Sequence, residues 1–149
     1  MQGKTAGIEE INKSMWTAYK EYLSTKDKKS YQKSVSGLES RYDSELKWFC
    51  RNLSSAWNTV IDLMEQKTEN GTDVEQTHVC IMDIQNSVWA VYREFLNGHQ
   101  VPEYTEKSAA LVEKYKNNKD MMLFAQILIM AWVPVINGIA EDFRKESGG

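Results

Sequence analysis

Glu75 and His78 stand three residues apart in "EQTH", a spacing that puts a carboxylate and an imidazole on one face of a helix. Glu-x-x-His is one half of the ligand set used by di-iron helical bundles. The chemistry needs a second such pair and two more glutamates, because an iron site of this kind takes four or more converging ligands. No second pair is present. His99, the other histidine, falls in a connection, and His78 and Cys80 are two apart, so they point to different sides of a helix. No metal site and no cofactor are expected.

Nucleophilic catalysis has no better footing. Cys50 lies in "WFCRN" among bulky apolar neighbours, which predicts burial, whereas a reactive thiolate needs a base and a lowered pKa. No nucleophile elbow, ordered triad, Gly-rich phosphate loop or dinucleotide fingerprint occurs. Glu9–Glu10 and Glu141–Asp142 are adjacent in sequence, so they diverge on a helix and read as solvated charge. Nothing in the residues argues for an enzyme.

The most basic stretch is "KDKKSYQK", with Lys26, Lys28, Lys29 and Lys33. Together with Lys20 and Arg41 it would make a positive rim beside Tyr31, suited to phosphates and some base stacking. Asp27 sits inside the run, and a solvated helix start is the plainer reading, since phosphate binding needs several converging cations.

The elements that must position these residues follow from composition and repetition. With 42% hydrophobic and 11% aromatic residues the chain can build a core, and two prolines and eight glycines in 149 residues favour long helices. Net charge is -3, with no excess of basic residues. The opening "MQGKTAGIEE" has no apolar stretch and there are two cysteines, so a reduced, cytoplasmic location is expected.

"INKSMWTAYKEYL" (Ile11–Leu23) and "IQNSVWAVYREFL" (Ile84–Leu96) share six of thirteen positions at an offset of 73. Tyr31, Leu38 and Tyr42 match Tyr104, Leu111 and Tyr115 at the same offset; Phe49, Leu53, Ala56, Trp57, Val60 and Ile61 match Phe124, Leu128, Ala131, Trp132, Val135 and Ile136 at an offset of 75. Amphipathic helices resemble one another in Leu and Ile, but not in Trp, Tyr and Phe held in one register. The expected fold is therefore all-α. Six helices make a bundle of two tandem three-helix units, repeats 1–66 and 73–145 with a linker at 67–72, related by an approximate two-fold or screw axis.

Apolar periodicity predicts helices near 6–25, 28–41, 44–66, 73–97, 102–117 and 120–145. Asp27 and Asp43 read as N-caps, Thr72 with Glu75 as a capping box, and Pro102 as a first-turn residue. Trp16 and Trp89, with Tyr19 and Tyr92, read as equivalent packing positions rather than a recognition surface.

The copies diverge on one stripe. Lys47, Arg51, Ser54, Ser55, Asn58 and Asp62 align with Met122, Gln126, Ile129, Met130, Val133 and Asn137. A helix apolar all round is normally buried all round. Helix six is thus expected either at the centre of the bundle or at an interface with a protein partner or a second copy. A membrane span is not expected, because the run from Met121 to Ile136 is short and contains Pro134. Pro134 predicts a kink near Met130.

The leading expectation is a non-catalytic interaction or regulatory module that binds a protein, or itself, through Met122, Gln126, Ile129, Met130 and Val133. The alternative is a small-ligand binder or cryptic enzyme with a pocket between the repeats. Nucleic-acid binding at Lys26–Lys33 is a weaker third.

Overall fold

The computed structural model describes residues 2–146. It is all-helical: α1 (Gln2–Thr25), α2 (Lys28–Ser40), α3 (Ser44–Asn70), α4 (Val74–Gly98), α5 (Val101–Lys114) and α6 (Lys119–Glu146), with no strand among the described residues. The chain divides after Thr72 into two compact units.

In the first unit each of α1, α2 and α3 packs on the other two. The long helices supply the core: Ile8, Ile11, Met15 and Tyr19 from α1 meet Leu53, Trp57, Ile61 and Met64 from α3, all essentially without solvent contact. The shorter α2 adds Tyr31, Val35 and Leu38, spaced four and three apart so that one face is apolar. Asp27 caps α2 by accepting the Ser30 N–H at 3.0 Å. The preceding turn bends through Lys26 at φ 61°, whose N–H donates to the Tyr22 carbonyl at 2.7 Å.

The second unit packs α4, α5 and α6 in the same pairwise way. Ile81, Ile84 and Tyr92 from α4 meet Phe124, Leu128, Trp132 and Ile136 from α6, and α5 adds Tyr104, Ser108 and Leu111. Its first turn repeats the geometry of the other. His99 stands at φ 57° and donates to the Phe95 carbonyl at 2.7 Å, and Gln100 follows at φ -98°, ψ 97° where Asp27 has φ -95°, ψ 93°. Pro102 lies in the first turn of α5 as read. Asn118 opens α6 by accepting the Met121 N–H at 3.2 Å.

The rings inside each unit also take one pattern. Trp16–Tyr19, Trp16–Trp57 and Tyr19–Trp57 centroids are 5.4, 5.9 and 5.0 Å apart. Trp89–Tyr92, Trp89–Trp132 and Tyr92–Trp132 centroids are 5.3, 6.2 and 4.7 Å apart. Trp57, Trp132, Tyr19 and Tyr92 are fully buried, so these clusters are packing, not a stacking surface.

Several boundaries differ from the sequence reading. The third helix runs to Asn70, through most of the expected 67–72 linker. Gly71 at φ 65° stops it, with the Gly71 and Thr72 N–H groups donating to the Thr68 and Lys67 carbonyls. Thr72 does not cap α4: Asp73 occupies the N-cap, in a left-handed conformation and without a side-chain cap bond. Asp43 holds the expected position before α3 but likewise makes no side-chain cap bond. The fifth helix ends at Lys114 rather than 117, leaving a wider turn before α6. α6 continues as helix through Pro134.

Candidate functional site

Burial sorts the residues that the sequence singled out. Cys50 is buried in α3, and its thiol pKa is pushed up to about 11 by burial and then by the Glu39 charge, the reverse of what a nucleophile needs. Cys80 is a free, half-buried thiol. Among the described residues no three His, Cys, Asp or Glu side chains gather as a metal would require. Glu75 is exposed on the first turn of α4 and His78 is half-buried.

The basic stretch does not assemble as a rim. Lys28 turns onto α3, 2.8 Å from Asp62 and 3.4 Å from Glu65, and its pKa is raised chiefly by the hydrogen bond to Asp62. Lys26 lies in the turn, and Lys29 and Lys33 are exposed one helical turn apart on α2. Tyr31, expected to offer a stacking ring beside them, is buried edge-on against Tyr22.

The stripe on α6 behaves differently. α4 and α5 do not cover it: Met130 is 70% exposed, Val133 37%, Gln126 is exposed, and Met122 and Ile129 are half-buried. Gln126, Ile129, Met130 and Val133 form one wall of an open groove of about 420 Å³. The other wall, missed by comparing only α3 with α6, comes from α5: Thr105, Ala109 and Val112, with the buried Tyr104 and Ser108 at the floor. No lining residue is ionised. The Tyr104 phenol is pushed up by burial and partly held back by the Ser108 hydroxyl.

The equivalent positions of the first unit are closed by charge. Arg51, at the place of Gln126, donates to Glu39, at the place of Val112, at 2.6 Å. Arg51 also lies over the Trp48 ring at 5.1 Å. Lys28, Asp62 and Glu65, which pin α2 to α3, stand where the second unit has Val101, Asn137 and Ala140. One ion pair is common to both units. Arg41 reaches Glu10 at 2.9 Å, and Lys114 reaches Asp83 at 2.9 Å, the same offset later. Tyr115 also hydrogen-bonds Asp83. Tyr42 has Glu10 as its hydrogen-bond partner, and its pKa rises to about 12, first through burial and then through that bond.

α6 is long and apolar enough to cross a membrane by length and composition alone. Its inner positions are spent on the core of its own unit, where Phe124, Leu128, Trp132 and Ile136 are buried.

No family model, curated protein or solved structure matches this chain.

Proposed function

We propose that the chain is a non-catalytic interaction module built by tandem duplication of a three-helix bundle, and that its second unit binds a protein, or a second copy of itself, through the α5–α6 groove. The duplication is supported by the two left-handed turns at Lys26 and His99, the matched ring clusters and the repeated ion pairs at Glu10–Arg41 and Asp83–Lys114. The observation that carries the binding reading is the contrast between sister sites: Arg51–Glu39 in one unit, Gln126 and Val112 beside exposed Met130 in the other. Large apolar side chains left in water forgo roughly 1.5–3 kcal/mol each relative to full burial, so an apolar face retained on a soluble unit implies something that covers it. Two free cysteines agree with a cytoplasmic setting.

A small apolar ligand is the second reading, because the groove has a ligand-sized volume. Its uncharged walls offer little to orient one.

The test is the double variant Ile129→Lys with Val133→Lys. The two lysines should leave helical content and melting near wild type and abolish association, measured by light scattering and by retention of a protein partner. If the double variant unfolds, this face belongs to the core, because an unpaired buried ammonium is not tolerated, and the interaction reading is wrong.

A further inference from the structure

Pro134 has no N–H, so the Met130 carbonyl one turn earlier lacks its α-helical donor. Met130 and Pro134 are both exposed, which places that acceptor on the open side of α6. Gln126 lies one turn before Met130 on the same side and is the one polar side chain between Met121 and Ile136. Its amide carries two N–H donors. A surface with one unmatched acceptor and one matching donor, a turn apart in an apolar stripe, is complementary to its own reverse.

We propose that the occupant of the groove is a second copy of this chain, with the two α6 helices antiparallel about a two-fold axis near Met130. This rests on the interaction reading above and names its partner. In that arrangement each Gln126 comes opposite Pro134 of the other copy and donates to the Met130 carbonyl that this proline leaves without its helical donor. Met130, long and unbranched, enters the other copy's groove beside the small Thr105, Ser108 and Ala109. The ends of the stripe agree. Lys119 and Glu141 stand eleven residues either side of Met130, so antiparallel packing sets each lysine against the other copy's glutamate. Parallel packing would oppose Lys119 to Lys119 and Arg144 to Arg144. An isologous two-fold contact of this kind closes on itself and stops at the dimer.

The experiment uses the full chain, with folding checked by circular dichroism and mass by light scattering over a wide concentration range. Wild type should run as a dimer. Met130→Cys should form a disulfide-linked dimer under mild oxidation, while Trp48→Cys, exposed on α3, and wild type should not. Gln126→Leu should weaken the dimer about tenfold or more despite its greater apolarity, because it strands two buried carbonyls without donors. A folded wild-type monomer at every concentration, Met130→Cys that does not cross-link, or Gln126→Leu that dimerises as well as wild type would each overturn the proposal. A folded monomer removes the second copy alone; unfolding of the Ile129→Lys, Val133→Lys variant removes the interaction reading itself.

Discussion

Arg51 and Glu39 form an ion pair of 2.6 Å that ties α3 to α2 at the place where α6 and α5 carry Gln126 and Val112. Both partners are partly solvated, so the pair stabilises weakly, by roughly 0.2–1 kcal/mol. Its larger effect is on what the surface presents. A charged lock repels an apolar occupant; a Gln and a Val admit one.

Grafting the second unit's residues into the first tests that view. Glu39→Val with Arg51→Gln, Ser54→Ile and Ser55→Met should keep the first unit folded, since none of these side chains lies in the core. The grafted chain should gain association, seen as higher mass by light scattering at concentrations where wild type does not change.

The aromatic clusters fix a second expectation. Trp57 and Trp132 are without solvent contact and each touches a Trp and a Tyr. Trp57→Ala or Trp132→Ala should each cost about 3–5 kcal/mol through lost transfer energy and the cavity left behind. Chemical denaturation of the two variants gives the number.

Acid should act through Asp83. Its pKa is held below the ordinary 3.8, first by the Tyr115 hydrogen bond and then by Lys114, against the opposing effect of burial. The folded state then binds fewer protons than the unfolded state near that value, so stability falls as pH drops through the folded pKa. Asp83→Asn should flatten the acid limb of a stability–pH curve and leave the neutral region little changed.

Base should act through the phenols. Burial raises Tyr19, Tyr31 and Tyr104 above the ordinary 10.0, and Tyr42 to about 12. The folded state keeps these protons when the unfolded state loses them, so the contribution is whole below pH 10 and disappears as pH rises through the folded values. Tyrosinate absorbance should therefore appear together with loss of helical circular dichroism, not before it.

Helix number and the apolar stripes were legible because Trp, Tyr and Phe recur at helical spacing in a register shared by two segments. The α6 half of the groove was legible as well, from the polar-to-apolar changes at Ser54/Ile129 and Asn58/Val133. The α5 half was not, although the same comparison applied to Glu39/Val112 would have shown it. The pairing of Arg51 with Glu39 is a tertiary fact that no spacing within one helix encodes. The end of α3 was misplaced because its last turn is polar; Gly71, which can take the left-handed conformation, was the overlooked stop signal.

Lys26 and His99 hold φ near +60° without being glycine. Left-handed backbone costs an L-residue roughly 1–2 kcal/mol, so each unit carries a small penalty at the turn between its first two helices. Lys26 is thus where an engineer has headroom, because Lys26→Gly relieves the turn, whereas His99 stacks on Phe143 at 4.1 Å and glycine there would give up that contact.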